Sequence, residues 1–231
     1  MRMAEQQAFV LSTASLTDAL YESVRQRIVT GDIAPGEKVT EARLAAEYNV
    51  ARPTARAGLE RLAVTGLLLR TAHRTATVPS LDAADIVDVF VGREAIESCA
   101  VSLLSRSQTA PAAALSAHAQ HSAAAERGDF PLQVGADMRF HRSLVADAGS
   151  PRLARMHELI MGEVELTMGQ YLAHRTTPAE SVVDEHARIL DAISAGDEAT
   201  AVTALVEHLA HARERLLARI AAADPASSPA H

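Results

Sequence analysis

The feature that most constrains the fold is a succession of three short amphipathic helices within residues 16–66. Apolar residues recur at helical spacing in three segments, at about 16–30, 41–48 and 52–65. Gly31 and Gly66 follow the first and third segments, at positions where glycine commonly ends a helix. The next residues, LLLRTAHRTATV, predict two short strands joined by a turn near Ala72–His73. Three helices and a β-hairpin in this order predict a winged helix-turn-helix.

The third helix carries two arginines near its start. On a helical wheel, Arg52 and Arg56 lie on one flank of the core stripe, which consists of Ala55, Gly58, Leu59 and Leu62. The neighbouring side chains are small, so this flank can approach another surface closely. Guanidinium groups there can reach phosphates or the edge of guanine in the major groove of DNA. The alternative interpretation is a solvated helix face with ordinary surface arginines.

Charge is distributed unevenly along the chain. The formal net charge is −7, yet residues 1–80 hold ten arginine and lysine residues against eight carboxylates, whereas residues 81–231 hold 12 against 21. Within residues 43–74 there are six arginines and two glutamates. A small basic unit joined to an acidic, alanine-rich one favours DNA binding by the N-terminal part.

The segment IVTGDIAPGEKVTEARLAAEYNVARPTARAGLERLAVTGLLLR resembles the DNA-binding domain of the GntR family of bacterial transcription regulators. The shared residues are Gly31, Pro35, Gly36, Leu44, Ala45, Arg52, Arg56, Leu59, Leu62, Gly66 and Leu67. The resemblance implies that the third helix binds operator DNA and that the wing reaches the minor groove. The candidate DNA-binding residues are Arg43, Arg52, Thr54, Arg56 and Arg74. Ala51 stands where the family usually has serine.

The rest of the chain is predicted to be helical. Helices are expected at 82–106, 111–127, 130–148, 151–174, 179–195 and 198–222. Six helices with short connections predict an antiparallel bundle. The fold class is therefore mainly α, with a winged helix-turn-helix domain at 15–79 and a helical effector and dimerisation domain at 80–223. Residues 1–14 are expected to form a flexible arm, and residues 224–231 a disordered tail.

Three of these helices carry ionisable residues within their apolar stripes. Asp137 and His141 are four residues apart on one helix, His186 is centred on the stripe of another, and His208 lies at the edge of the last stripe. Inward-facing polar groups are costly unless they satisfy one another or bind something. One carboxylate and three imidazoles are a plausible ligand set for Zn²⁺, Ni²⁺ or Mn²⁺. The alternative for each residue alone is a buried, hydrogen-bonded core residue.

The other histidines are interpreted as surface residues. His118 and His121 lie in an alanine-rich helix that has no carboxylate near them. His157 and His174 are assigned to the surface in the same way, and His211 is expected to turn towards solvent.

The segments DMRFHRSLVADAGSPRL and EHARILDAISAGDEATAVTALVEHLAHAR resemble the C-terminal effector domain of the FadR subfamily of GntR regulators. The family pattern maps onto Asp137, His141, His186 and His208, and it implies a divalent metal next to a cavity for a small carboxylate. An arginine in the first helix of that domain corresponds to Arg93, which is a candidate for binding the effector carboxylate. The alternative for Arg93 is an ion pair with Glu97 on the same helix.

These features predict a homodimeric, metabolite-responsive transcription regulator that binds operator DNA and a small carboxylate. Repression is the predicted mode of regulation. A metal-dependent enzyme using the Asp/His centre is one alternative, although no further inward base is evident. A constitutive DNA-binding protein with a purely structural metal is another. The single cysteine, Cys99, excludes a disulfide framework within the chain. No apolar run is long enough for a signal peptide or a membrane span, so a cytoplasmic protein without membrane contact is expected.

Overall fold

The computed structural model describes residues 15–70, 75–171 and 179–223, and these are mainly helical. The N-terminal part contains helices α1 (Leu16–Val29), α2 (Glu41–Glu47) and α3 (Arg52–Val64), and strands β1 (Lys38–Val39), β2 (Leu69–Arg70) and β3 (Ala76–Thr77). The C-terminal part contains α4 (Ala83–Ser107), α5 (Ala112–Glu126), α6 (Phe130–Asp147), α7 (Pro151–Tyr171), α8 (Ala179–Ala195) and α9 (Glu198–Ala223). The mainly α architecture with a winged helix-turn-helix is thereby confirmed. Within the described residues, no helix combines the length and apolarity needed to cross a membrane.

Local chemistry accounts for several helix ends. At the start of α1, the Ser15 hydroxyl accepts a hydrogen bond from the Asp18 amide while the Asp18 carboxylate accepts one from the Ser15 amide. Asp82 and Asp85 form the same reciprocal pair at the start of α4. After α3 the chain turns at Gly66, which has a φ of +77°. Glycine adopts this left-handed conformation without the steric cost that a side chain would add.

The wing contains one more strand than the sequence predicts. The order of the antiparallel sheet is β1-β3-β2, with Lys38 paired to Thr77 on one side of β3 and Leu69 paired to Thr77 on the other. Strand β1 was not expected, because a two-residue strand has no periodicity of its own and is defined only by pairing with a distant segment. The expected turn near Ala72–His73 lies outside the described residues.

The two parts of the chain share one apolar core. A continuous cluster of buried apolar side chains includes Leu20 and Leu62 in the N-terminal part, Leu104 in α4, and Leu205 in α9. Helix α4 packs against α6, α7, α8 and α9, and it therefore forms the centre of the helical domain. This arrangement brings the inward faces of α6, α8 and α9 close to one another.

Helix α7 joins the helical domain to the winged helix. A Cβ atom on Gly162 would lie 1.5 Å from the backbone oxygen of Thr65, and one on Gly66 would lie 2.4 Å from the backbone oxygen of Leu159. The two parts therefore touch backbone to backbone, which only glycine permits at these positions. A buried carboxylate of α7, Glu165, adds an ion pair with Arg25 of α1.

Candidate functional site

The surface of α3 that carries the two arginines faces solvent. Ala55, Gly58, Leu59 and Leu62 are the buried residues of this helix, as the helical wheel predicts. Arg52 and Arg56 are exposed, and Thr54 between them is half-buried. The flank of α3 is therefore accessible along its first turns. The side chains there are small, so another molecule can approach the helix backbone closely.

Carboxylates form ion pairs with Arg56 of α3 and with Arg70 of the adjacent strand β2. The Nε atom of Arg56 lies 3.5 Å from a carboxylate oxygen of Glu41 and 3.5 Å from one of Glu60. Arg70, at the end of β2, lies 3.6 Å from the same two carboxylates. Because these pairs are exposed, they are weak and can exchange with another anion.

Arg43 is more firmly held than the arginines of α3. It donates to Glu37 at 2.6 Å, to Glu47 at 2.7 Å and to the backbone oxygen of Lys38 at 3.2 Å. These carboxylates, Glu47 first, raise the pKa of Arg43 above its usual value. Contact between Arg43 and DNA would require it to leave some of these partners. Arg74, the other candidate in this part, lies outside the described residues.

The first turn of α3 has no side-chain cap. Ala51 occupies the position before the helix and makes no side-chain hydrogen bond to its amides. Free amides at a helix N-terminus attract anions such as phosphate, helped by the helix dipole. Because alanine at position 51 has no side-chain hydroxyl to cap the helix, the first backbone amides of α3, beside Arg52, remain available to an anion.

The structure brings the four candidate metal-binding residues together. Asp137 and His141 come from α6, His186 from α8 and His208 from α9, and one donor atom of each lies within 4.8 Å of all the others. All four are buried. Nε2 of His141 is 3.1 Å from Nε2 of His208, and Nε2 of His186 is 3.4 Å from Oδ1 of Asp137. Donors that bond one ion at about 2.0–2.2 Å have separations of this size, so these residues could hold a metal.

Two further carboxylates orient the imidazoles. Nδ1 of His141 is 2.7 Å from Oε2 of Glu97, and Nδ1 of His208 is 2.8 Å from Oε2 of Glu185. An Nδ1–H that donates to a carboxylate leaves the lone pair on Nε2, which is the atom facing the cluster in both residues. Metal-binding histidines commonly have this outer hydrogen bond.

His186 lacks such a partner. Neither of its ring nitrogens has a hydrogen bond to any residue that the structure describes, although the ring is fully buried and stacks on Phe140 with centroids 3.8 Å apart. Burial lowers the pKa of His186 to about 3, because the neutral ring is favoured away from water. A buried nitrogen without a partner is costly, and a neutral imidazole is the form that binds a metal. Both observations fit a metal better than a purely structural cluster.

The carboxylates around the cluster remain ionised. Burial opposes this, but the neighbouring histidines, with His186 at 3.4 Å first among them, hold the pKa of Asp137 well below its usual range. In the same way, Arg93 and His141 overcome burial and keep the pKa of Glu97 well below normal. An ionised Asp137 together with three imidazoles offers a mixed oxygen and nitrogen donor set, which suits Zn²⁺, Ni²⁺ and Mn²⁺.

Arg93 forms the ion pair that was the alternative interpretation of this residue. Its Nε donates to Oε1 of Glu97 at 2.8 Å, and the side chain is buried. However, Nη2 of Arg93 is also buried and has no hydrogen-bond partner within the described part of the chain. One end of this guanidinium is therefore bound by Glu97, which also contacts His141 of the cluster, while Nη2 at the other end has unused donors.

Four residues around the cluster were missed or misassigned from the sequence. His121 and His157, expected on the surface, are buried, whereas His118 is half-buried and His174 lies outside the described residues. His157 is 3.1 Å from Glu97, and the ring of His121 lies 5.5 Å from that of His186. Glu97 and Glu185 were not singled out as imidazole partners. His211 was correctly expected to be exposed, and it contacts Glu185 at 2.7 Å.

Among the residues that surround the cluster, only Glu97 was indicated by the sequence, through its spacing of four residues from Arg93. An i,i+4 pair on a helix is visible in a sequence, but the partner of a glutamate on another helix is not. The alanine-rich context of His121 suggested a surface helix, whereas small residues here let α5 pack closely against α6 and α8.

Comparison with known proteins assigns both parts of the chain. Residues 16–78 match the family described as bacterial regulatory proteins, gntR family, and residues 88–211 match the FCD domain. A probable D-xylose utilization operon transcriptional repressor of Paenarthrobacter nicotinovorans is 27% identical over 201 residues, which cover 87% of this chain and 88% of that protein. An uncharacterized HTH-type transcriptional regulator of Agrobacterium vitis is 31% identical over 143 residues, 60% of this chain and 84% of that protein.

A solved structure shows the same fold. The putative GntR transcriptional regulator from Rhodococcus sp. RHA1 superposes with a TM-score of 0.71 at 23% identity, covering 88% of this chain and 98% of that one. The matched families and relatives are regulators of transcription, not enzymes. The chain is a member of the GntR family of bacterial regulatory proteins with a C-terminal FCD domain, and it is a transcriptional regulator.

Proposed function

We propose that this regulator is a homodimeric repressor whose affinity for operator DNA is lowered by a small carboxylate that binds beside a divalent metal. The observation that carries the proposal is the buried cluster of Asp137, His141, His186 and His208, which Glu97 connects to Arg93. The proposed DNA-binding domain spans residues 15–79, and the proposed effector and dimerisation domain spans residues 80–223. Repression is supported by the relative named as a probable transcriptional repressor.

The proposed DNA contacts follow from the accessible face of α3. Arg52 and Arg56 are exposed on this face, and the uncapped amides that follow Ala51 are suited to a phosphate. Thr54 lies between the arginines, Arg43 lies on α2, and we assign Arg74 to the wing. In this proposal the guanidinium groups bind base edges and phosphates, while the backbone amides fix the position of the helix.

The proposed metal is Zn²⁺, Ni²⁺ or Mn²⁺, held by Asp137 and the three histidines. A bound divalent ion acts as a Lewis acid, and coordination positions not used by the protein can take a carboxylate oxygen. Glu97 and Glu185 hold the rings of His141 and His208, so that Nε2 points to the centre. Arg93 offers a second contact for the same carboxylate, because its Nη2 is buried and lacks a partner.

The proposed dimer uses an exposed apolar stripe on α4. Val87, Val91, Ala95 and Cys99 are exposed on successive turns of this helix. Helix α7 runs beside α4 and adds Met156 and Leu159, which are 56% and 46% exposed. Contiguous apolar surface of this kind is typical of an interface, and a twofold axis would pair the stripe with itself.

Sedimentation of purified protein tests the dimer. Val91→Glu places a charge in the stripe and is expected to give a monomer, because the charge would be buried in the interface. Leu115→Glu, at an exposed apolar position on α5, is the matched control and is expected to leave the dimer intact. A monomeric wild-type protein, or a dimer unaffected by Val91→Glu, would contradict this assignment.

Operator binding in the presence of a carboxylate panel tests the regulatory proposal. Operator DNA is selected from a random duplex library, and its dissociation constant is measured with mono-, di- and tricarboxylates and sugar acids, with and without chelation. We expect at least one compound to weaken binding several-fold in wild-type protein, and to have no effect after chelation or in Asp137→Ala. An Arg52→Ala variant is expected to lose operator binding while it still responds to the compound in a thermal melt.

The same assay separates the main alternative, a structural metal in a constitutive DNA-binding protein. In that case chelation would lower the melting temperature, but no compound would change the operator affinity. By linkage, an effector that weakens operator binding must itself bind less tightly to the protein–DNA complex. Equal effector affinity with and without DNA would therefore also contradict the proposal.

A further inference from the structure

A second cavity lies between the winged helix and the helical domain, away from the metal-binding cluster. Its volume is about 400 Å³, and its walls come from α1 and α3 on one side and from α6 and α7 on the other. None of the four candidate metal-binding residues lines it. Domain junctions commonly hold ligand sites, and the volume lies within the range of small-molecule sites.

Guanidinium groups from both parts of the chain line this cavity. Arg25 and Arg61 come from the winged helix, and Arg139 and Arg142 come from α6. Glu165 is buried at the junction and pairs with Arg25, while its other oxygen lies 3.7 Å from Arg142. Arg25 also pairs with Glu22 at 2.8 Å, and Arg142 pairs with Glu158 at 3.3 Å. The charges of these two arginines are therefore already compensated by carboxylates of the cavity wall.

The other two arginines are held more weakly. Arg61 pairs with Asp18, and both side chains are about 45% exposed, so the pair contributes little. Arg139 donates to the neutral Oε1 of Gln120 at 2.8 Å, and among the described residues no carboxylate is paired with it. Gly135 gives Arg139 room, since a Cβ atom there would lie 3.3 Å from its Nη1.

The remaining lining limits the kind of ligand. Tyr21, Val134 and Met138 add apolar surface, while Glu22 and Glu158 in the same lining are paired with Arg25 and Arg142. A guanidinium binds a carboxylate through two parallel hydrogen bonds, which replace the neutral or exposed partners described above. We infer that this junction cavity is a second ligand site, which takes a small organic carboxylate with Arg139 and Arg61 as its anchors.

Such a ligand would connect the two parts of the protein. Its anchors lie on different domains, and Thr65, which also lines the cavity, is in backbone contact with α7 at Gly162. A ligand bound in this cavity would therefore fix the orientation of the winged helix relative to the helical domain, close to the backbone contact between Thr65 and Gly162. The inference does not depend on the metal or on the effector proposed above, because the two sites share no candidate ligand residue.

Calorimetric titration of the full-length protein tests this site. The probes are succinate and glutarate as short dicarboxylates and inorganic phosphate as an anion without an apolar body. We expect saturable dicarboxylate binding that is retained in Asp137→Ala and is at least about tenfold weaker in Arg139→Gln, since a bidentate ion pair is lost. Arg61→Gln, from the other domain, is expected to weaken it as well. Arg188→Gln, an exposed arginine on α8 paired with Glu207, is the matched control and is expected to bind normally.

Three results would overturn the inference. Binding that is lost in Asp137→Ala but unchanged in Arg139→Gln would assign the ligand to the metal centre. Binding of phosphate in place of both dicarboxylates would overturn the carboxylate assignment. Absence of saturable binding by any probe at about 1 mM would show that the cavity holds no such ligand with an affinity of about −4 kcal/mol or better. Because Asp137→Ala removes the other site, failure here leaves the metal-dependent proposal untouched.

Discussion

Single side chains around the candidate metal-binding cluster differ in what the sequence reveals of them. Asp137 and His141 are recognisable because an i,i+4 pair lies in an apolar stripe, but Glu97 and Glu185 look like ordinary helical glutamates. Their role follows from distances of 2.7 and 2.8 Å to the Nδ1 atoms of His141 and His208. Side chains that orient others are thus the hardest to find without a structure.

We predict that Glu185→Gln weakens metal binding by about tenfold or more. The neutral amide still accepts a hydrogen bond from His208, but it no longer supports positive charge on that ring, so Nε2 becomes a poorer ligand. Competition with a chromogenic chelator measures the change. His211→Gln is the control, because His211 contacts the same carboxylate from its half-exposed position and does not face the cluster. Equal effects of both variants would refute an orienting role for Glu185.

A second prediction concerns Glu60 on the face of α3. Glu60→Gln is expected to raise operator affinity about two- to five-fold, because it frees Arg56 and Arg70 from an exposed pair and removes a charge that repels phosphate. Fluorescence anisotropy with labelled operator measures the change. Glu207→Gln, on the remote surface of α9, is expected to have no effect. A weaker operator complex in Glu60→Gln would show that this carboxylate positions Arg56 for DNA.

Among the elements, α7 connects the helical domain to α1 of the winged helix, a role that the sequence does not reveal. His157 contacts Glu97 near the cluster, Glu158 pairs with Arg142, and Gly162 touches the turn after α3. The apolar periodicity of α7 predicts a helix but not which neighbours it joins. Its glycine in mid-helix is the one sequence signal of a close approach, because glycine costs helix stability and is retained where a side chain would not fit.

Replacing this glycine tests the contact. In Gly162→Ala the new Cβ atom would overlap the Thr65 backbone, so we expect a loss of about 1–3 kcal/mol in unfolding free energy. Gly135→Ala in α6 is the matched substitution, since its Cβ would meet only the movable end of Arg139. There the better helix propensity is expected to stabilise the protein by up to about 1 kcal/mol. Urea denaturation measures the change in unfolding free energy for each variant. A stabilised Gly162→Ala variant would show that α7 and the winged helix do not touch here.

For the whole molecule, the buried histidines predict sensitivity to acid in metal-free protein. Burial lowers the pKa of His121, His186 and His208, so the folded state binds fewer protons than the unfolded state below pH 6.5. Their contribution is complete above this pH and is lost as the pH falls, at up to about 1.4 kcal/mol per pH unit for each histidine. Asp137, Glu97 and Glu185 act in the same direction, but only below their ordinary values near pH 4.

Urea denaturation of chelator-treated protein between pH 7 and pH 5 isolates the histidine contribution. We expect stability to fall steadily across this window, and His121→Gln to make the decline shallower by removing one buried imidazole. Stability that stays constant from pH 7 to pH 5 would mean that these rings have the same pKa in the folded and the unfolded protein.

The sequence by itself determined the helices, the winged helix-turn-helix and the four residues of the buried Asp/His cluster. Helix starts and ends depend on caps, glycines and periodic apolar residues, which act within a few positions of the chain. The cluster was recognisable for the same reason, since each ligand interrupts the apolar stripe of its own helix. The family resemblance is likewise carried by local motifs, and the matches at residues 16–78 and 88–211 agree with it.

Only the tertiary structure decided which distant groups meet. Pairing of β1 with β3, the burial of His121 and His157, the carboxylate partners of His141 and His208, and the cavity between α3 and α6 all join segments far apart in the chain. Such contacts depend on how helices pack, and many sequences with the same local periodicity would pack differently. The free donors of Arg93 illustrate this, because its partner Glu97 is local, whereas the burial that isolates Nη2 comes from the surrounding helices.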